Sequence, residues 1–448
     1  MRLKPTLLWL ALVLLSGLIH RASAVITTID DVPAATLLVP YFEVDLDNAD
    51  GQTTMFSVNN ASATAILAHV VVWSDLSVPV LDFNLYLTGY DVQTINLRDI
   101  LVNGHLPQTA SVGQDPSDTI SPKGAFSQDI NFASCAGLLP PPPLPQFFLD
   151  HLRSSLTGRA SAVLGGLCAS QNLGDNIARG YVTVDTVNNC TLRFPGDPGY
   201  FGPAGIGDAT NQNVLWGDYF LVNPGKGFAE GETLVHIEAS ATAAETAVSG
   251  DYTFYGRYNS PAWNAADNRE PLATTFEARY VKGGAFDGDT SFIVWRDSKV
   301  NQGPFTCPAT AGSRPSWYPL GQERIMIFDE QEHAVVPETF PVSPQPPGQS
   351  LTPFPAETQR VDVGGPTLPV PFDFGWMDLD LNFTVSGTPP LPGDETAAQA
   401  WVMIIMQTEA PTSLKAKDDG SQNNGRSAGF AATRADCACK RRPPPPPK

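Results

Sequence analysis

Side chains that alternate apolar and polar over runs of seven residues constrain this chain more than any other feature. Leu81, Phe83, Leu85 and Leu87 alternate with Asp82, Asn84 and Tyr86; Leu379, Leu381, Phe383 and Val385 alternate with Asp378, Asp380, Asn382 and Thr384. Successive side chains of a strand point to opposite faces, so each run has one face for a core and one for water. Ile66–Trp73 is apolar on both faces apart from His69, and Trp401–Met406 is similar. Both read as strands covered on two sides. Thr54–Val58, Gln93–Arg98, Thr233–Ala239, Ser291–Arg296 and Ile325–Phe328 complete the predicted strands. Turn residues separate them: Asn59-Asn60-Ala61-Ser62, Thr88-Gly89-Tyr90-Asp91 and Asp287-Gly288-Asp289. Strand alternating with helix, as in a parallel α/β sheet, is absent. The expectation is an all-β chain of antiparallel sheets packed as a sandwich.

One helix is predicted, where Phe148, Leu152 and Leu156 fall at i, i+4 and i+8 after the stiff run Pro140-Pro141-Pro142-Pro143. It forms a helical lobe at 135–168 inside a β-rich middle region, 113–336. Residues 25–112 supply N-terminal sandwich strands, and 372–439 supply C-terminal strands expected to complete that sandwich. Between them, 337–371 holds ten prolines in 35 residues and reads as a linker or surface wrap. Lys415–Arg426 reads as a polar loop, and the tail 440–448, with five prolines, as disordered.

Residues 1–24 read as a signal peptide. Arg2 and Lys4 precede an apolar run from Leu7 to Ile19, and Ala22-Ser23-Ala24 offers a cleavage site. Cleavage removes three basic residues and no acid, taking the formal charge from −19 to −22. That sign argues against nucleic-acid partners. No later stretch approaches the ~18 uninterrupted apolar residues of a membrane span. Six cysteines in an exported chain favour disulfides. The expected pairs are Cys135 with Cys168 and Cys190 with Cys307; Cys437 and Cys439 stand too close for an unstrained bridge to each other.

Three segments are similar to a pattern in exported bacterial proteins of unassigned function: Phe56-Ser57-Val58-Asn59-Asn60, Ala68-His69-Val70 and Leu81-Asp82-Phe83-Asn84. Gly375-Trp376 and Ala400-Trp401-Val402 resemble the same group. The resemblance covers residues 35–105 and 370–440. It implies an immunoglobulin-like sandwich and an exported location, and it brings no catalytic residue and no ligand.

Several constellations are candidates for chemistry. Glu232, His236 and Glu238 share one face of a predicted strand and suit a metal pair, an acid/base pair or a merely solvated stripe. Asp45, Asp47 and Asp50, before Gly51, suggest a Ca²⁺ turn. An EF-hand would need a ligand where Ala49 stands and a Glu where Phe56 stands. Trp216, Tyr219 and Trp263 are candidate ligand aromatics, although rings in a sandwich more often serve its core. His69 reads as a hydrogen-bonded core residue. The sequons at Asn60, Asn189 and Asn382 bear on function only if the host glycosylates. No nucleophile elbow, zinc-protease motif or phosphate loop is present. The function read from these residues is a secreted or cell-envelope, non-catalytic structural or adhesive protein with an extracellular protein or glycan as partner. The alternative is a carbohydrate-binding module or glycan-active enzyme using the aromatics of 216–263 with Glu232 or Glu238. Ca²⁺ is the only cofactor suggested.

Overall fold

A computed structural model describes residues 32–408 except 109–131, 140–141, 241–252, 260–265, 285–287, 308–314, 316, 336–351 and 384–397, and adds three short strands between 428 and 437. The predicted signal peptide, the polar loop 415–426, Trp263, Cys439 and the tail 440–448 lie outside the described residues.

The first part of the chain forms β1 (Thr36–Asp45), β2 (Thr53–Asn60), β3 (Ile66–Ser74), β4 (Pro79–Leu87), β5 (Val92–Asn96), a short helix α1 (Leu97–Leu101), a longer helix α2 (Gln146–Leu156), β6 (Ile177–Val187), β7 (Leu215–Trp216), β8 (Asp218–Asn223), β9 (Phe228–Thr233) and β10 (Val235–Ile237). The second part forms β11 (Thr275–Val281), β12 (Gly288–Arg296), β13 (Arg324–Asp329), β14 (Ala334–Val335), β15 (Thr358–Asp362), β16 (Phe374–Asp380), β17 (Ala400–Thr408), β18 (Ala428–Gly429), β19 (Thr433–Arg434) and β20 (Asp436–Cys437). Every named strand pairing is antiparallel.

The strands make four sheets. Sheet I runs β10-β1-β6-β3-β4 and sheet II runs β5-β2-β8-β9, with β7 also on β2. Sheet III runs β15-β12-β17-β18, with β19 also on β17, and sheet IV runs β14-β13-β16-β11-β20. Sheets I and II share one core, in which Val70, Val72, Val182 and Val184 meet Phe56, Val58, Tyr219 and Leu221. Sheets III and IV share another, in which Phe292, Val294, Val402 and Ile404 meet Ile325, Ile327, Met377 and Leu379. The predicted strands Ser291–Arg296 and Trp401–Met406 have two covered faces because the other face of sheet III sends Ile293, Met403 and Ile405 into the first core. Ile66–Trp73 is likewise buried throughout, within β3.

The second face of sheet I is roofed by rings. Trp73 and Tyr181 pack there with Tyr200, Phe201, Phe254, Tyr255, Tyr258 and Trp295, the last from sheet III. Helix α2 forms as the apolar spacing predicts and buries Leu149, Leu152 and Leu156.

Several expectations need correction. The C-terminal strands do not complete the N-terminal sandwich by pairing: β16 lies between β11 and β13, and β17 lies on β12. The strands that complete it are β6 to β10, from the middle region. The proline-rich stretch is more than a wrap, since it carries β15 on the edge of sheet III and buries Phe354 and Glu357 fully. Gln93–Arg98 stops as a strand at Asn96, whose side chain accepts the Arg98 N–H and caps α1. Thr233–Ala239 is two strands, because the chain crosses at Leu234 from sheet II to sheet I.

The disulfides join the four expected cysteines in a different combination, Cys135–Cys190 and Cys168–Cys307. Strand β6 returns the chain to a small cluster of Leu67, Tyr86 and Leu139 that holds both Cys135 and Cys190. Cys168 instead exchanges two backbone hydrogen bonds with Phe305, at 2.8 and 2.9 Å. The helical lobe is therefore pinned at each end to a different part of the molecule and is not closed on itself.

Candidate functional site

The outer face of sheet II is the best candidate for a binding surface. Residues directly opposite in an antiparallel pair share a face. Phe56, opposite Tyr219, points into the core; Met55, opposite Phe220 on β8 and Asn96 on β5, points out. Asn59 lies opposite both Val92 and Trp216 on that same outer face. Val92 is 58% exposed, Phe220 43%, and Tyr90, in the turn before β5, 69%. Trp216 is half-buried, edge-on to His236 at 5.8 Å. Phe220 lies over Gly231 of β9, where an added Cβ would come within 2.4 Å of the ring. Apolar side chains thus gather on one pleated surface, interspersed with Asn59, Thr94 and a hydrogen-bonded pair, Ser57 donating to Asp218 at 3.0 Å. Exposed large apolar groups gathered on one face and rimmed by polar ones mark interaction surfaces.

The structure does not bring Glu232, His236 and Glu238 together as a site. Glu232 is on β9, and its Oε1 accepts the Thr233 N–H at 3.1 Å. His236 is buried on β10, with Nδ1 at 2.9 Å from the Val32 carbonyl and Nε2 accepting from the Gly217 N–H at 3.3 Å. Glu238 follows β10, and its carboxyl is pushed up by burial and then by Glu270. Tyr219 is a core residue whose hydroxyl donates to the Met403 sulfur, so of the three candidate aromatics only Trp216 is at a surface among the described residues.

The Asp45–Gly51 loop is organised around a guanidinium. Asp45 Oδ1 accepts from the Asp47 and Asn48 N–H groups at 3.1 and 3.0 Å, and Asn48 Oδ1 accepts from Asp50 N–H at 3.1 Å. Arg98 donates to the carbonyls of Asp45, Asn48, Gly51 and Gln52 at 2.7, 2.7, 3.0 and 2.9 Å. A Ca²⁺ turn would offer such carbonyls to the ion; here they already face a cation. Among the described residues no group of three His, Cys, Asp or Glu is placed to hold a metal.

Two clusters of charge lie inside the molecule, and sequence reading missed both. Asp185 and Arg269, both fully buried, are 3.5 Å apart. Asp185 also accepts from the hydroxyls of Tyr200 at 2.5 Å, Tyr255 at 3.0 Å and Thr36. Arg269 continues to Asp267 at 3.3 Å and the Thr210 carbonyl at 3.1 Å, beneath the rings of Phe201 and Tyr255. Burial, and then the Asp185 charge, pushes both tyrosines well above their ordinary range, so they stay protonated donors. The second cluster is Arg257, bound to both oxygens of Glu357 at 2.9 and 3.1 Å and to Asp297 at 2.6 Å. It joins the turn at 256–258 to the edge of sheet III. Asp185, Arg269 and Glu357 show no signal in sequence, since each sits in a segment with no motif.

A shallow cleft opens beside the aromatic roof, lined by Trp73, Phe194, Tyr258, Asp197, Asn301 and Gln302 among others. Its rings are already used. Trp73 is stacked between Tyr181, with centroids at 5.7 Å, and Tyr258 at 6.2 Å, so neither of its faces is open to a ligand. His69, behind this roof, is a core residue hydrogen-bonded to Asn84 at 3.1 Å, and burial pushes its pKa down. The sequon residue Asn60 is buried too, donating to the carbonyls of Thr64 and Thr88 at 2.6 and 2.8 Å.

Glu230 is the one strongly buried acid of sheet II. It lies opposite Leu221 and therefore points inward, is 7% exposed, and neither carboxyl oxygen has a hydrogen-bond partner. Burial pushes its pKa up to about 7, against the lowering effect of Arg360; Glu232 adds to the rise. A carboxyl whose folded pKa is raised contributes stability below pH ~4.5 that is lost as the pH climbs to about 7. Glu230→Gln should therefore gain about 1–3 kcal/mol over the wild type at pH 8 and nothing at pH 4. Urea unfolding at the two pH values measures this; equal gains at both would refute it.

Compared with known protein families, curated proteins and solved structures, the chain matches none.

Proposed function

We propose that this chain is an exported, non-catalytic adhesive or structural protein that binds an extracellular protein or glycan through the outer face of sheet II. The observation that carries the reading is the gathering of Val92, Trp216 and Phe220 on one pleated surface, with Tyr90 exposed in the turn before β5. Export is supported by the two disulfides, and no helix among the described residues is long and apolar enough to cross a membrane. The resemblance read in residues 35–105 and 370–440 implies the same location. The non-catalytic part is supported by the commitment of Asp185, Arg269, Arg257, Asp297 and Glu357 to one another inside the molecule.

The glycan-active alternative needs two carboxyls facing one substrate. Glu232 lies on β9 of sheet II and Glu238 follows β10 of sheet I, which favours reading a glycan as a ligand of the Trp216 face. The test uses the disulfide-bonded protein on a glycan array and on an array of immobilised extracellular proteins. Binding on either, reduced about tenfold or more in Trp216→Ala/Phe220→Ser at an unchanged melting temperature, is the expected result. Blank arrays, or binding that survives the double substitution, would remove the proposal.

A further inference from the structure

Residues 215–223 run past β2 in one register: Trp216 lies opposite Asn59 and Tyr219 opposite Phe56, so β7 and β8 are continuous in their pairing. Alternate side chains of a strand share a face. Trp216, Asp218 and Phe220 therefore stand in a row on the outer face of sheet II, each step about 6.6 Å along the chain. Phe220 is exposed and rests over Gly231, while Trp216 and Asp218 are half-buried. Asp218 Oδ2 accepts from the Ser57 hydroxyl at 3.0 Å, and among the described residues Oδ1 accepts no hydrogen bond. An acceptor oxygen thus stands between two rings.

The charge on this face is unlike that of its counterpart. The outer face of sheet IV carries Glu277, Arg279, Arg324, Asp378 and Asp380. On the outer face of sheet II the register sets four residues of β2, three of β5, four of β7 and β8 and three of β9, and Asp218 is the one charged residue among them. The cations nearest in sequence lie past the strand ends, Arg98 in α1 and Lys226 in the turn before β9. Arg98 is already bound to the carbonyls of the acidic loop. The other polar groups of the face are hydroxyls and amides, among them those of Thr94, Thr233 and Asn59.

A ligand bearing carboxylates or sulfates would meet an anion and no cation on this face, in a chain of formal charge −19. A folded protein would need more surface, since standard interfaces take roughly 20–30 residues a side. A neutral sugar chain satisfies both limits. The C–H faces of its rings are apolar and cover aromatic side chains, and its hydroxyls bond to amides, hydroxyls and a carboxylate. We infer that the ligand of this face is an uncharged glycan, stacked on Trp216 and Phe220 and donating a hydroxyl to Asp218 Oδ1. The inference rests on the proposed binding face and narrows its ligand to one chemical class. It makes Asp218 the residue that selects among sugars: a sugar with no hydroxyl directed at Oδ1 desolvates a carboxylate and returns no hydrogen bond.

Affinity electrophoresis of the disulfide-bonded protein tests this, in gels holding neutral polysaccharides (hydroxyethylcellulose, dextran, galactomannan, laminarin) or acidic ones (alginate, polygalacturonate). At least one neutral polymer, or a neutral glycan of the array, should bind the wild type. That affinity should change less than about twofold between roughly 0.05 and 0.5 M NaCl, because no ion pair is formed. Asp218→Ala should weaken it about tenfold or more at an unchanged melting temperature, the loss expected for a hydrogen bond to a charged acceptor. Asp218→Asn, which keeps an acceptor oxygen, should weaken it less. Binding of acidic polymers alone, or neutral binding that Asp218→Ala leaves intact, overturns the inference. Binding confined to the protein array also overturns it and leaves the binding face standing. Blank results on every polymer and both arrays remove the face as well.

Discussion

Asp185→Ala should lower the stability of the folded protein by about 3–5 kcal/mol, the cost of leaving a buried cation without its partner. Arg269 would remain fully buried, together with the Tyr200 and Tyr255 hydroxyls that now donate to the carboxylate. The network ties β1 through Thr36, β6 through Asp185, and the segments carrying Tyr200, Tyr255 and Asp267. Its loss should loosen the roof over sheet I before either core. Removing both charges is expected to cost less than removing one. Asp185→Leu combined with Arg269→Met takes away the unpaired charge as well as the pair, and apolar replacements of buried ion pairs are often close to neutral. Denaturant unfolding of the single and double variants measures the difference. A single variant within about 1 kcal/mol of wild type would show that the network is not a structural tie.

The second large effect belongs to the Cys168–Cys307 disulfide, which spans 139 residues of sequence. In the chain-entropy picture a loop of that length is worth about 4–5 kcal/mol, as an upper figure. Cys168→Ser/Cys307→Ser should lose much of this, and more than the pair Cys135→Ser/Cys190→Ser, whose loop spans 55 residues. A digest mapped by mass without reductant should recover the peptides joined as Cys135–Cys190 and Cys168–Cys307. Recovery of Cys135–Cys168 would contradict the fold at the helical lobe.

Much of the architecture was legible because burial on one face writes a period of two into β4, and burial on both faces writes the continuous apolar runs of β3 and β17. Four strands flanked on both sides escaped notice, β1, β6, β8 and β11, and the first two show why. Strand β1 contains Pro40, which breaks the pattern and sits where the register shifts between Val39 and Phe42. There it costs no ladder bond, as proline in a bulge does not. Strand β6 contains Gly180, where a Cβ would come within 3 Å of the Phe42 ring and closer still to the Trp73 carbonyl. Glycine is needed for that approach, and it weakens the strand signal.

The candidate face was only half legible. Trp216 stood out as an aromatic beside turn residues. Phe220 and Tyr219 differ by one position and look alike in sequence, yet the pleat sends one to water and the other to the core. Which of them faced out depended on the pairing of β8 with β2, which joins residues more than 160 apart. The interior ion pairs were illegible for the same reason: Asp185 and Arg269 lie 84 positions apart in sequence. The acidic turn did show its residues but not their partner, since Arg98 comes from the helix after β5.

The interior charges hold layers together, and binding is proposed for the outer face of sheet II. The most direct test measures ligand binding and melting temperature side by side for Trp216→Ala/Phe220→Ser and for Asp185→Asn. The face variant should lose binding and keep its melting temperature, while the interior variant should melt earlier and, below its melt, bind as the wild type does. Full binding by the face variant, with binding lost in the folded Asp185→Asn protein, would place the site inside the molecule and contradict the account.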